Sequence, residues 1–462
     1  MNGQKGNQEP WTLERRAFLK LGAGMGLGTL LLGWANPVKA ALIGQSPGMS
    51  VTPRGSARNC VMIVLRGGPS HIDTFDIKLG NWTPNKLGVD KISAGYLWPL
   101  GIMPKLAQRA NRFTLIRSLQ HQEVVHERAQ YFTETGRRLN PGLRAEIPHI
   151  GAVVALESEE KRAANDIFPG FIMFTYGAYT NNGFLSASYA PFMVSNPGYG
   201  IQDLMPSDGS AAFDRRRAAL RLINEAGNNP LSSSRQSFPI FQDQAEKMMQ
   251  DPITTTTFLA SNDDQARYGN NYFGTSLAVA RNVLKANRGT RFIEVDQYGW
   301  DNHSDIYSDD EYSLPALCRQ LDQGLSTFID DLAAAPGTTT GKTLLDETFV
   351  VVLGEFGRTT GVLNSSRGRD HYPYVFSGLF AGGGIQGGRI IGATDELGEG
   401  AKDFGWKYPR PIHLPDVVTT IYSVLGIDWT KVITNTPSNR IYRYADPEAI
   451  GDEDSYEIYP LF

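Results

Sequence analysis

Acids and imidazoles recur directly after short apolar runs, and that recurrence is where chemistry would sit. Glu355, Arg358, Arg369, Asp370 and His371 follow the run Thr348–Leu353, while Asp301 and His303 follow Arg291–Asp296. Arg66, His71 and Asp73 follow Asn59–Leu65; Ser118 closes Arg112–Leu119, with His121 and His126 just beyond it. Ionisable groups at the end of a buried strand are costly to desolvate unless paired or bound to an ion. In open α/β sheets the carboxyl end of a strand is also where ligands sit. Asp301 and His303 lie two apart, so in extended chain their side chains point the same way. A carboxylate with an imidazole is a common half-site for Zn, Mn or Fe. Ser118, His121 and His126 precede or open a helix, whose free N–H groups favour anions, so all three are candidates for substrate contact. The competing readings are structural: an arginine–carboxylate network that only staples a loop, an Asn/Asp-rich turn capped by Asp301, and a capping role for Asp73.

These groups need elements to place them. Short β-branched runs predict strands at Asn59–Leu65, Arg112–Leu119, Phe171–Thr175, Arg291–Asp296, Thr348–Leu353 and Gly388–Ile391. Between them, helical patterns span Glu127–Thr135 (stopped by Gly136), Ile147–Leu156, Phe273–Ala286, Ser313–Leu332 and His413–Leu425. Strands alternating with helices predict one α/β domain over 41–462, with a mostly parallel central sheet sandwiched by helices. Residues 177–257, rich in Asn, Ser, Gly and Pro, read as an inserted cap region. Its Tyr176, Tyr179, Phe184, Tyr189 and Phe192 suit either stacking on a sugar or a small core of the cap itself. The run Gly382–Gly387 is a formal G-x-G-x-x-G, but it precedes a strand instead of a helix, so it reads as a hairpin or tight loop.

The chain has 462 residues, 41% hydrophobic and 20% charged, with a net charge of -4, so it can bury a large core and offers nucleic acid no basic surface. Two cysteines, Cys60 and Cys318, leave open one disulfide or two buried thiols. Residues 12–40 combine a charged start, an apolar run from Leu21 to Trp34, and Val38 and Ala40 before a cut. That is secretory architecture. Arg15–Arg16 followed by Phe18, Leu19 and Lys20 resembles a twin-arginine signal, which implies handling by that export machinery and a periplasmic or extracellular location for a mature chain from about residue 41. The apolar run falls short of the roughly 20 residues a span needs, so no stable membrane span is expected. There is no G-x-S-x-G elbow, P-loop or H-E-x-x-H.

The segments LRGGPSHIDTFD (Leu65–Asp76), HERAQYFTETG (His126–Gly136), GWDNH (Gly299–His303), VLGEFGRT (Val352–Thr359), GRDHYP (Gly368–Pro373) and AGGGIQGG (Ala381–Gly388) closely resemble the DUF1501 family of exported bacterial proteins. That family is similar in fold to alkaline phosphatases and sulfatases. The resemblance implies a metal-assisted hydrolase of phosphate or sulfate esters. It would make Glu355 and His371 metal ligands, the latter with Asp370, and Asp301 and His303 an Asp/His element of shortened spacing. Asp73 would stand for the acid that follows the first strand. Phe356 occupies a position where the wider superfamily has a histidine ligand, and no Cys/Ser-x-Pro-x-Arg nucleophile is present.

The expectation is therefore an exported hydrolase of a small-molecule or polysaccharide ester. A divalent ion (Zn, Mn, Ca or Fe) would be held by Asp301, His303, Glu355 and His371, with Asp73 and Asp370 also in the ligand set. Arg66 or Arg358 would supply the guanidinium fork for substrate oxygens, and His126 or Ser118 the proton donor or nucleophile. The alternative is a non-catalytic carbohydrate- or envelope-binding protein on an inherited sulfatase-like scaffold.

Overall fold

The computed structural model describes residues 43–45, 51–202, 204, 209–226, 233–446 and 454–462. The twin-arginine segment lies outside the described residues.

The nine strands of the central sheet, in chain order, are Asn59–Leu65 (β1), Phe113–Gln120 (β2), Phe171–Phe174 (β3), Phe192–Met193 (β4), Phe292–Gln297 (β5), Thr348–Gly354 (β6), Phe376–Gly382 (β7), Arg389–Ile391 (β8) and Ile412–His413 (β9). Their spatial order is β8-β2-β7-β6-β1-β5-β3-β4, with β9 also pairing β2. Only β7 runs against the rest, antiparallel to both β2 and β6. The other eight strands consequently deliver their carboxyl ends to one edge. Strand β7 was not among the predicted strands. The glycine run after it is no hairpin: β7 and β8 flank β2, so Gly382–Gly388 crosses over the end of that strand. Gly382, Gly383 and Gly384 do so with φ of 66°, 62° and 88°, a region that favours glycine.

Every residue of β1, β5 and β6 is buried, without the alternation of a half-exposed sheet. Such runs signal a sheet covered on both faces. Val61, Ile63 and Leu65 enter one core with Val350 and Val352, while Cys60, Met62 and Val64 enter the other with Phe349, Val351 and Leu353. The first core is closed by helices Tyr272–Ala286 and Leu314–Ala334, the second by Ile150–Ser158 and Leu414–Val424. Cys60 and Cys318 thus lie on opposite faces of the sheet, both buried and free, and no disulfide forms. The 177–257 segment contributes edge strand β4, parallel to β3, and helices Ser210–Ala226 and Ser233–Gln250. Among the described residues, Phe184 packs on Tyr442 and Phe192 on Phe258, so both join the two main cores and not a core of the cap's own. Helix His126–Thr135 (α1) follows β2 and stops at Gly136, with φ of 66° as foreseen.

Arg66, one residue past β1, is 4% exposed and bound to three acids. Its guanidinium meets Glu134 of α1 at 2.7 Å, Glu294 of β5 at 2.8 Å and Asp296 at 2.9 Å. Burial raises both Glu134 and Glu294, and next Asp296 pushes Glu294 and Arg66 holds Glu134 down. His149 accepts from the Gly151 N–H through Nδ1 at 2.8 Å, so its Nε2–H donates to Glu294 at 2.9 Å. Burial lowers that imidazole to about 4, so it stays neutral. Arg66 is therefore a joint between strands and helix, and the expectation that it grips substrate is corrected. Arg66→Met should cost about 3–5 kcal/mol in chemical denaturation, because three buried carboxylates lose their only guanidinium; a loss below about 1 kcal/mol would refute the joint.

Candidate metal centre

Four side chains from three chain segments meet above the carboxyl edge. His126 is the first residue of α1, Asp301 and His303 lie in the loop after β5, and His371 lies on a short strand, His371–Tyr372, paired with Gly357–Arg358 just beyond β6. One donor atom each from His126, Asp301 and His371 all lie within 4.8 Å of one another. His303 joins them, its Nε2 2.9 Å from Nε2 of His371 and 3.1 Å from Oδ1 of Asp301.

The outward nitrogens decide what faces inward. His126 Nδ1 is 2.6 Å from Oε2 of Glu355, His303 Nδ1 is 2.9 Å from Oδ1 of Asp370, and His371 Nδ1 is 2.6 Å from the Val124 carbonyl. Each partner only accepts, so each Nδ1 donates and each Nε2 faces inward. The Nε2 atoms of His303 and His371 stand 2.9 Å apart with a carboxylate oxygen 3.1 and 3.2 Å away. The His126 Nε2 is buried without a hydrogen-bond partner; it lies 3.3 Å from Oδ2 of Asp301, but out of line for a hydrogen bond. Three convergent ring nitrogens and a carboxylate need a proton or a cation between them.

That donor set fits a divalent cation. Imidazole nitrogen with a carboxylate suits Zn, Mn or Fe, and Zn–N bonds of 2.0–2.1 Å place neighbouring tetrahedral ligands about 3.3 Å apart. The spacings here, 2.9 to 3.3 Å, are close to that. Outer partners that fix tautomer and ring angle are the usual companions of metal-binding histidines. Although partial burial works against it, contacts from His126, His371 and Arg358 hold the Asp301 carboxylate well below the usual range.

Several expectations change. Asp301, His303 and His371 do converge. Glu355 is fully buried with both oxygens turned to donors: Oε1 accepts from the Gly67 N–H at 2.9 Å and from Gln130, and Oε2 meets His126. It orients a ligand and is not placed to be one. Asp370 plays the same part for His303. Asp73 is removed from the set: it accepts from Ser70 at 2.6 Å, Arg369 at 2.8 Å and Tyr307 at 2.7 Å, and is 1% exposed. Ser118 is buried and donates to the Phe404 carbonyl at 2.9 Å, so it is no nucleophile here. Arg358 is fully buried, and its guanidinium is spent on Asp301, His303 and the carbonyls of Gly67, Gly68 and Arg369. No fork remains for a substrate. Phe356 does not ligate either; its ring packs 4.4 Å from that of His371 and 5.3 Å from that of His126. His126, expected as a proton donor or nucleophile, instead brings its ring against this cluster. Its position at the first helical residue was the signal for a site residue, but not for ligation.

Fold and site together define an α/β protein with three imidazoles and one carboxylate gathered at the carboxyl edge of its sheet. The chain belongs to the family described as protein of unknown function (DUF1501), whose match spans residues 57–450. No curated protein matches it. Among solved structures it is similar to a protein in the alkaline phosphatase superfamily from Vibrio parahaemolyticus, with 12% identity over 91% of this chain and 77% of that one and a TM-score of 0.38. It is similar to the C-terminal periplasmic domain of EcEptC from Escherichia coli, in complex with Zn, with 10% identity, coverage of 90% and 89%, and a TM-score of 0.37. A third is the phosphonate monoester hydrolase SpPMH from Silicibacter pomeroyi, with 14% identity, coverage of 87% and 76%, and a TM-score of 0.35. The chemistry below rests on the side chains, not on these likenesses.

Two measurements check this geometry. In cation-free protein, the contacts with the carboxylates of Asp301 and then Glu355 raise His126 to about 9. Its stabilising contribution is therefore complete below about 6.5, the unfolded value, and lost as pH rises through about 9. Between those values a binding cation must expel one proton, so calorimetry in buffers of different ionisation enthalpy should count one released; none released would contradict the arrangement. Glu355→Gln should weaken metal binding about 10–100-fold by disturbing the His126 tautomer, without removing a ligand.

Proposed function

We propose that the protein is an exported, metal-dependent hydrolase of phosphate or sulfate esters. The observation that carries the reading is the buried, unpartnered Nε2 of His126 converging with Asp301 and His371. His126, His303, His371 and Asp301 would hold one divalent ion per chain. Of the other acids at this edge, Asp73 is neutralised by Arg369, and Asp76 by Lys78 and Arg117. When bound, such an ion supplies a Lewis acid that polarises the ester and acidifies water toward a pKa of about 7. Arg358 keeps Asp301 ionised, and Glu355, Asp370 and the Val124 carbonyl keep the imidazoles aimed. With both guanidiniums committed, substrate oxygens would meet the N-terminus of α1, which no side chain caps.

Export rests on the twin-arginine resemblance. Among the described residues no helix is long and apolar enough to cross a membrane. Among the described residues no side-chain nucleophile contacts the cluster, which favours direct attack by water and also supports the second reading, a glycan- or envelope-binding protein without turnover.

Protein purified without chelator should carry about one equivalent of metal and hydrolyse members of a phospho- and sulfo-ester panel. Asp301→Ala with His371→Ala should lose both, with metal affinity falling more than about 100-fold, beyond what an outer partner contributes. Metal and turnover retained in that double variant would end the hydrolase reading; glycan binding with neither metal nor turnover in the wild-type chain would establish the second.

A further inference from the structure

Two tyrosines stand exposed on the rim beside the Asp301 loop, and the ring of Tyr176 is braced by its neighbours. Tyr176, 64% exposed, lies two residues past β3; its ring rests on those of Tyr272 at 4.4 Å and Tyr298 at 5.1 Å, leaving its other face to solvent. Its N–H donates to the Tyr298 hydroxyl at 3.0 Å, which in turn donates to Asp296 at 3.0 Å. Tyr312, 59% exposed, leans on Gly299, where a Cβ would come within 2.7 Å of its ring; its carbonyl accepts from Asn302 at 2.8 Å. Tyr176 stacks on Tyr298 and Tyr312 lies against the next residue, Gly299, so the two rings share one stretch of rim. A free tyrosine on a surface loses rotamer freedom on binding; one already stacked on two neighbours loses little.

Strand order sets the distance. Gly67, just past β1, abuts the Asp301 backbone, and β3 lies two strands from β1. At about 4.8 Å per strand, Tyr176 stands on the order of 10 Å from the cluster. The ring it would stack on is therefore further along the substrate than the group at the ion. Charge narrows the class. Asp309, Asp310 and Glu311 are exposed immediately before Tyr312. Asp309 is paired with Lys86 at 3.0 Å and Arg367 with Asp305, which leaves Asp310 and Glu311 as carboxylates that accept from hydroxyl donors and disfavour polyanions.

We infer that Tyr176 and Tyr312 form a subsite for a neutral oligosaccharide, binding a sugar ring about two units from the ester carried at the metal centre. This rests on the hydrolase reading for the ester, but the subsite itself does not need the ion.

The test is titration of the full chain with neutral hexasaccharides of glucose, xylose, mannose, galactose and N-acetylglucosamine, followed by calorimetry and NMR. At least one should bind saturably. Tyr176→Ala should weaken it about tenfold or more, Tyr176→Phe should not, and Tyr176→Ala with Tyr312→Ala should abolish it. His371→Ala should lose metal and leave glycan binding intact, whereas failure of the hydrolase reading would show in the wild-type chain, as sugar bound with neither metal nor turnover. Absence of binding by every hexasaccharide, indifference to Tyr176→Ala, or tighter binding of a polyuronate or sulfated oligomer would overturn the proposal.

Discussion

A carboxylate can be placed at the end of a buried strand only if a positive partner comes with it, and this sheet meets that demand with arginines. Arg66 takes Glu134, Glu294 and Asp296, while Arg369 takes Asp73. Arg358 reaches Asp301 yet leaves that side chain half open to three imidazoles. Most acids of the edge thus become structural joints. Asp301 alone among those at the cluster keeps oxygens directed at convergent nitrogens.

The cluster inherits its precision from what lies behind it. A buried carboxylate, a half-exposed carboxylate and a backbone carbonyl each bind one Nδ1, and together they turn three Nε2 atoms toward the Asp301 carboxylate. Glu355 is in turn held by the Gly67 N–H, a residue whose φ of 112° and contact with the Asp301 backbone leave no space for a side chain. Ligand direction is therefore tied, through one glycine, to the turn after β1. Phe356 closes the other side, trading a donor for a wall.

This division of labour bears on function. With Arg66, Arg358 and Arg369 each held by acids or backbone carbonyls, the proposed substrate would be met by the helix terminus and the tyrosine rim. The same economy suits a substrate with one anionic or ester group on an otherwise neutral body.

The amino-acid sequence by itself determined the parallel sheet, because β1, β5 and β6 are unbroken apolar runs that only a doubly covered sheet can bury. It also determined that acids and imidazoles would collect at one edge, since they follow those runs directly. Tertiary structure alone decided which of them meet. Glu355, Asp73 and Asp301 look alike in sequence, but neighbours remote along the chain (Gln130, Arg369 and His371) assign them to orienting, bracing and converging roles. His126 likewise depends on the angle at which α1 leaves β2. Strand β7 escaped notice because its reversed direction comes from pairing with β2 and β6, and local pattern carries no record of a strand's neighbours.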